Sequence, residues 1–239
     1  MKQPEKCIKT LIATNLISLI IIVIISFHYD VPKNLLIKLG ILETNNSVID
    51  LRRVAKNGLF SEYHQKNYRI VMLGDSITEW VAWNELLGIT DIANRGIASD
   101  STEGFYNRLS TVYSVNPEMC FIMGGINDIL RDVSVEAVLQ NITTIIKELK
   151  KNEIKPIIQS TLYISKKLPE WETVNKAVDE LNIGLESICR EKTISFIDVN
   201  TALSADGALE NENTYDGIHL NSLGYKKWAK LLLDVIENN

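Results

Sequence analysis

Residues 70–76 read IVMLGDS, four consecutive apolar residues that are closed by a glycine and followed at once by polar ones. A short, uninterrupted apolar run of this kind is typical of a strand that is buried on both faces. Similar runs recur along the chain at 119–123, 157–162 and 194–199, with a weaker run at 89–93. Together they predict the strands of a single sheet.

The segments between these runs carry helical patterns. Ser134 can cap a helix in which apolar residues recur every three to four positions over 135–149, and the same spacing appears over 174–188 and around Trp228. Strands that alternate with helices imply a parallel sheet with helices on both faces. Residues 67–239 are enough for five such strands and a sizeable core, so the predicted class is α/β.

The composition excludes several classes of protein. Among 239 residues, 46% are hydrophobic and 23% are charged, which is ordinary for a globular chain and unlike a disordered or collagen-like one. A formal net charge of −5 gives no electrostatic basis for binding nucleic acid. Cys7, Cys120 and Cys189 are far apart, which indicates neither a zinc site nor a disulfide framework. An extracytoplasmic location would allow a Cys120–Cys189 disulfide, but their apolar surroundings favour two buried thiols.

Residues 11–27 form the strongest local excess of hydropathy. These 17 residues carry no charge and 13 of them are apolar, which is the short end of what crosses a bilayer as a helix. We expect a transmembrane signal anchor. The alternative is a cleaved signal peptide followed by secretion, but the run exceeds the usual apolar region and no small-x-small cleavage site follows it.

The charges around this span predict its orientation. Three lysines lie in the segment 1–10, whereas Asp30 follows the span, so 1–10 is predicted to be cytoplasmic and the rest of the chain to face the periplasm or cell surface. Residues 28–66 are interpreted as a juxtamembrane tether that ends in a lead-in helix at about 48–63.

Polar residues that follow the predicted strands are the candidates for chemistry, since ligands of such sheets bind beyond the carboxyl ends of the strands. Ser76 follows the first run, Gly96 the weak run and Asn127 the third. His219 is the only histidine in 67–239, and Asp216, three residues earlier, can orient its ring. Taken singly, the serine reads as a helix cap, the glycine as a turn and the histidine as a structural residue; it is the set that suggests catalysis.

Other residues near these positions have simpler interpretations. Asp75 is expected to start a helix and Asp128 to act as a local cap, while Asp198 is a weaker rival of Asp216 as the partner of the histidine. Trp80 and Trp83 are expected to be core or packing residues rather than a platform for a sugar.

Four blocks in order make the chain resemble the SGNH (GDSL) esterase and lipase superfamily, over 67–239. The blocks are GDS at 74–76, N-x-G at 94–96, G-x-N-D at 125–128 and D-x-x-H at 216–219. The resemblance implies a three-layer αβα sandwich with a flavodoxin-like five-stranded parallel sheet. It also implies that no metal or organic cofactor takes part.

The same resemblance assigns roles to five residues. Ser76 would be the nucleophile, with Asp216 and His219 as its acid and base. The oxyanion hole would be formed by the backbone N–H groups of Ser76 and Gly96 and by the side chain of Asn127.

These assignments predict a serine esterase that works through an acyl-serine intermediate. The expected substrate is a small acyl ester, such as an O-acetyl group on an extracytoplasmic carbohydrate, with the membrane as partner through the N-terminal helix. The alternatives are a carbohydrate O-acetyltransferase that uses the same triad, a lysophospholipase or thioesterase, and a non-catalytic membrane-anchored binding module.

Overall fold

The computed structural model describes residues 45–63 and 67–238. The predicted span at 11–27 and the charges that orient it lie outside the described residues. Within the described part of the chain, no helix combines the length and the apolar character that crossing a bilayer needs. The chain divides into two units, Met1–Val48 and Ile49–Asn239, and the second contains the sheet.

Helices and strands alternate along the described chain as the periodicity predicts. In order they are α1 (Asn45–Glu62), β1 (Ile70–Gly74), α2 (Ser76–Glu79), α3 (Trp83–Leu87), β2 (Ile92–Gly96), α4 (Thr102–Asn107), α5 (Ser110–Tyr113), β3 (Met119–Met123), α6 (Ile126–Ile129), α7 (Val135–Lys151), β4 (Lys155–Gln159), α8 (Trp171–Lys192), β5 (Ser195–Ile197), α9 (Asn200–Leu203), β6 (Ser204–Ala205), β7 (Ala208–Leu209) and α10 (Ser222–Glu237).

The five main strands form one parallel sheet in the order β2-β1-β3-β4-β5. This is the flavodoxin-like order, so the predicted sheet is confirmed. The strand order reverses between β1 and β3, and a crevice opens at such a point beyond the carboxyl ends of the strands. Gly74 at the end of β1 is paired with Gly96 on one side and with Met123 on the other.

Alternate residues of each strand enter two separate cores. Ile70 and Met72 of β1 pack on one face with Trp83 of α3 and Trp228 of α10. The intervening residues of β1 pack on the other face against α4, α5, α7 and α8. Two cores divided by a sheet make a three-layer sandwich. Cys120 and Cys189 are free, buried thiols on the second face, as their apolar surroundings predicted.

Strand β2 lies three residues later than the weak apolar run at 89–93 indicated. It spans Ile92–Gly96 and so includes Asn94, Arg95 and Gly96, which the apolar pattern places beyond the end of the strand. The pattern failed because Arg95 is 1% exposed, a burial that its charge does not suggest. Its guanidinium donates to the carbonyl groups of Thr111 and Asn94 and lies over the Phe60 ring, which offsets the loss of water.

The lead-in helix is present as α1, and it also packs against the domain that contains the sheet. Phe60 is buried and the Arg95 guanidinium carbon lies 4.6 Å from the centre of its ring. The compact unit that contains the sheet begins at Ile49, upstream of residue 67.

Gly96 permits a close approach between β2 and α2, and this gives a test. A Cβ atom at Gly96 would lie 2.3 Å from the backbone N of Glu79, whereas one at Gly58 of α1 would meet nothing within 4 Å. We expect Gly96→Ala to lower the free energy of unfolding by about 1–3 kcal/mol. Gly58→Ala is the matched control and should raise it by about 0.5–1 kcal/mol, because alanine is the better helix former. Urea denaturation measures both, and a Gly96→Ala protein as stable as the parent would contradict the packing described.

Candidate active site

Ser76 begins the helix that follows β1. The preceding residue, Asp75, caps that helix by accepting the N–H of Ile77 at 2.9 Å. This tight turn between strand and helix brings the serine hydroxyl to the crevice, where Oγ lies 2.9 Å from Nε2 of His219. Two groups 143 positions apart in the sequence are thus in hydrogen-bond contact.

His219 is held by Asp216 of its own turn. Its Nδ1 lies 2.6 Å from Asp216 Oδ2, while Asp216 Oδ1 accepts the backbone N–H groups of Ile218 and His219. Burial raises the pKa of the Asp216 carboxyl, but these hydrogen bonds outweigh it and hold that pKa below its ordinary value. An ionised carboxylate keeps the ring proton on Nδ1, so the lone pair of Nε2 faces the serine.

Asp198, the weaker rival, is occupied elsewhere. Its Oδ1 accepts the backbone N–H of Asn200 at the start of α9. The structure therefore brings together Ser76, His219 and Asp216, as the sequence predicted.

Asn127 reaches the same crevice from α6. Its Nδ2 donates to the backbone carbonyl of Asp100 at 3.1 Å and lies 3.4 Å from Oδ2 of Asp75. The second contact is long for a hydrogen bond, which leaves one N–H of the amide for a ligand. Asn127 is thus placed beside the Ser76 turn, as expected.

The Gly96 amide does not fit its predicted role. Its N–H donates to Oδ1 of Asn94 at 2.7 Å, and the Asn94 amide in turn donates to the carbonyl groups of Thr78, Glu79 and Val81. Because the hydrogen is already engaged, it is not offered to an oxyanion. The glycine is needed for close packing, and the prediction of an oxyanion donor at this position is wrong.

The loop that follows β2 offers a different donor. Nearly every backbone N–H of this loop donates a hydrogen bond within the protein. The N–H groups of Ile97 and Asp100 donate to backbone carbonyl groups, those of Gly74 and Ile97. Those of Ala98, Ser101 and Thr102 donate to the side-chain carboxylates of Glu79, Asp100 and Asp128. Among the described residues, no acceptor is found for the N–H of Ser99. Ser99 also has a positive φ of 61°, an uncommon backbone conformation for a residue with a side chain.

Three buried carboxyl groups lie in or next to this loop. Asp128, expected to be a local cap, instead accepts the N–H and the hydroxyl of Thr102 at the start of α4. Asp100 is fully buried between two guanidinium groups, those of Arg53 and Arg108. For Asp75, burial and then the charges of Asp100 and Asp128 raise the pKa to about 7.

Trp80 belongs to the site, contrary to expectation. Trp83 is 1% exposed and lies in the core as predicted, but Trp80 is 50% exposed and its ring stacks on that of His219, with centroids 4.2 Å apart. The exposed ring of Tyr215 lies nearly parallel to both. The sequence does contain a signal: Trp80 is four residues after Ser76, the spacing that places two residues on one face of a helix.

This arrangement can activate a hydroxyl for nucleophilic attack. A carboxylate orients an imidazole, the imidazole can accept the serine proton, and the Asn127 amide and the unpaired amide of Ser99 can donate to a developing negative charge.

Comparisons with known proteins agree with this chemistry. The family model described as "GDSL-like Lipase/Acylhydrolase family" matches residues 72–227. An N-acylneuraminate cytidylyltransferase from Streptococcus agalactiae is 31% identical over 112 residues, which are 46% of this chain and 26% of that protein, so the chain spans a minor part of it. Platelet-activating factor acetylhydrolase IB subunit alpha1 from Rattus norvegicus is 25% identical over 179 residues, which are 70% of this chain and 74% of that protein.

A solved structure supports the fold independently. A GDSL-like lipase from Bacteroides thetaiotaomicron superposes with a TM-score of 0.67 and 24% identity, covering 79% of this chain and 97% of that chain.

The raised pKa of Asp75 predicts a pH-dependent cost to stability. Its pKa is about 7 in the folded protein and 3.8 for the ordinary carboxyl. The folded protein therefore holds this proton more tightly than the unfolded chain does. The contribution of Asp75 to the free energy of unfolding is largest below about pH 4 and is lost as the pH rises to about 7. Asparagine keeps the helix cap without the charge. We therefore expect Asp75→Asn to increase the free energy of unfolding relative to the parent, and to do so more at pH 8 than at pH 5.

Denaturant unfolding at the two pH values tests this prediction. Asp91→Asn makes the same chemical change at a half-exposed carboxylate and is the control. An equal effect of Asp75→Asn at both pH values would contradict the assignment.

Proposed function

We propose that this chain, which belongs to the GDSL-like lipase/acylhydrolase family, hydrolyses a small acyl ester on an extracytoplasmic carbohydrate, with an O-acetyl group as the preferred acyl group. The observation that carries the proposal is the continuous contact from Ser76 Oγ to His219 Nε2, 2.9 Å, and from His219 Nδ1 to Asp216 Oδ2, 2.6 Å.

The reaction follows from these contacts in two steps. Ser76 Oγ attacks the ester carbonyl carbon as its proton passes to Nε2 of His219, and Asp216 stabilises the imidazolium that forms. The C–O bond to the sugar breaks as His219 returns the proton to the leaving oxygen, which leaves an acyl-serine. Water then attacks the acyl carbon, its proton passes through His219 to Ser76, and the carboxylic acid is released.

The oxyanion hole is the one part that differs from the expectation. We assign it the backbone N–H groups of Ser76 and Ser99 and the second N–H of Asn127. Asn127 and Ser99 are neighbours because the carbonyl of Asp100, the residue after Ser99, accepts the first N–H of Asn127. Removing one such donor typically costs about 3 kcal/mol of transition-state stabilisation, a hundredfold or more in kcat.

Two further observations support the choice of substrate. The exposed, nearly parallel rings of Trp80 and Tyr215 form a flat aromatic wall beside His219, a surface suited to the face of a sugar ring. Among the relatives, one is named an acetylhydrolase and one takes its name from an acylated sugar, N-acylneuraminate. The extracytoplasmic location rests on the apolar segment 11–27 and its flanking charges.

The function is tested by measuring acid release from purified full-length protein. We expect p-nitrophenyl acetate to be cleaved faster than long-chain esters, and O-acetylated sugars, with an O-acetylated N-acylneuraminate among them, to release acetate without an added acceptor. Ser76→Ala should lose this activity and its labelling by a fluorophosphonate, because both need the same hydroxyl. Thr144→Ala, which alters a hydroxyl on the exposed surface of α7, is the control.

Several results would contradict the proposal. Full esterase activity in Ser76→Ala would exclude the mechanism, and a preference for palmitoyl esters would indicate a lipase. Acetyl transfer to an added sugar in place of acetate release would indicate a transferase.

Replacing single backbone amides by esters tests the revised oxyanion hole. An ester in place of the Ala98–Ser99 amide, introduced by protein ligation, removes the Ser99 N–H while all side chains stay. We expect kcat to fall by about 10²–10³-fold. An ester at the Arg95–Gly96 bond is the control and should cost about tenfold or less, because that N–H binds Asn94. A larger loss at Gly96 than at Ser99 would restore the original assignment.

A further inference from the structure

We propose that Arg53 of α1 is a positioning residue for the oxyanion hole, and that the basic residues at 52–56 of α1 hold the loop 97–101 in its productive shape. This inference rests on the proposed function, since it concerns the same reaction. It gives α1, which the sequence indicated only as a connection to the membrane segment, an indirect part in catalysis through the loop that it positions.

The first contact between α1 and the loop is with Asp100. The side chain of Asp100 is 0% exposed, and its two carboxylate oxygens accept Nε–H of Arg53 at 2.9 Å and Nε–H of Arg108 at 2.6 Å. Arg108 also donates to the carbonyl groups of Arg95 and Gly74, at the ends of β2 and β1. Arg108 therefore joins Asp100 to the sheet, and Arg53 joins it to α1.

The second contact is with Ala98. Its N–H donates to Oε2 of Glu79 at 2.7 Å, and Oε1 of Glu79 lies 2.8 Å from Nζ of Lys56. Arg52 lies 3.5 Å from the same carboxylate. Basic side chains of α1 thus bind a carboxylate on each side of Ser99. Arg53 binds that of Asp100, and Lys56 binds that of Glu79, which accepts the Ala98 N–H. Both carboxylates are almost fully buried.

Ser99, between these two contacts, is in a conformation that needs support. A positive φ is unfavourable for a residue with a side chain, and it persists only where the surroundings fix it. The backbone carbonyl of Ser99 also accepts Nη2 of Arg131 at 2.6 Å. The ion pairs of Asp100 and Glu79 with α1, rather than the intrinsic backbone preference of the loop, hold the Ser99 amide in place.

Both proposed donors outside the nucleophile turn depend on this loop. The Ser99 N–H belongs to it, and the Asp100 carbonyl fixes the amide of Asn127 at 3.1 Å. If Asp100 loses Arg53, the Arg108 pair keeps the carboxylate neutralised and the domain folded, but the loop has lost its restraint on the side of α1. The result is a correctly folded enzyme with a poorly placed oxyanion hole.

Arg53→Gln in the full-length chain tests this inference. We expect kcat for p-nitrophenyl acetate to fall by about ten- to a hundredfold with KM changed by less than about twofold, because misplacing donors weakens the transition state and leaves ester binding largely intact. Arg53→Lys, which can still pair with Asp100, should recover most of the rate. Arg69→Gln removes the same charge from a half-exposed pair with Asp91 and is the control.

A double-mutant cycle separates positioning from a general loss of folded protein. If Arg53 acts partly through Asn127, Arg53→Gln should reduce kcat at least about threefold less in an Asn127→Ala background than in the parent. A merely structural role would lower the rate equally in both backgrounds, and fluorophosphonate titration of Ser76 would show fewer active molecules. Equal losses in both backgrounds, or an Arg53→Gln rate within twofold of the parent, would overturn the proposal.

Hydrogen exchange provides a measurement that does not need activity. Amides of the segment 97–101 should exchange faster in Arg53→Gln than in the parent or in Arg69→Gln, because their hydrogen bonds lose a support. Unchanged exchange in this segment would overturn the role of α1 whatever the turnover. Absence of ester cleavage and of fluorophosphonate labelling in the parent would instead overturn the proposed function, so the two failures are distinguishable.

Discussion

The parallel register of three strand ends is the constraint on which the site depends. Gly74 of β1 is paired with Gly96 of β2 and with Met123 of β3, so the segments that follow these strands start at one level of the sheet edge. Ser76, the Ser99 loop and Asn127 meet there because their strands end together. His219 and Asp216 arrive from a later turn, and their 2.6 Å contact is complete within four residues, so only the contact with Ser76 has to be made across the fold.

Hydrogen bonds to buried carboxyl groups hold the backbone of this site. Asp75, Asp100 and Asp128 are all buried close to one another, and each has a different partner: a helix N-terminus, two guanidinium groups and a threonine. Such groups add little net stability, since desolvation offsets much of their attraction. What they provide is geometry, because a loop tied by charged hydrogen bonds has few alternative positions.

Local patterns in the sequence predicted what local forces determine. The strands β1 and β3, the Ser134 cap and the Asp216–His219 pair were all identified, because apolar runs and short spacings encode them. The failures concern residues whose roles depend on distant partners. Gly96 was misassigned because the sequence does not show that Asn94 occupies its amide, and β2 was shifted because a buried arginine interrupts the apolar run. Trp80 was expected to be a core or packing residue because residue type does not distinguish it from Trp83; only its spacing of four from Ser76 does.

The contact between Ser76 and His219 spans 143 positions of the sequence, and this separation has a consequence for the newly made chain. Closing a loop of this length costs chain entropy, which the folded elements between the two residues must offset. Before that contact forms, no base lies beside the serine, and its hydroxyl is that of an ordinary alcohol. The reactivity that we propose for Ser76 therefore depends on completion of the fold.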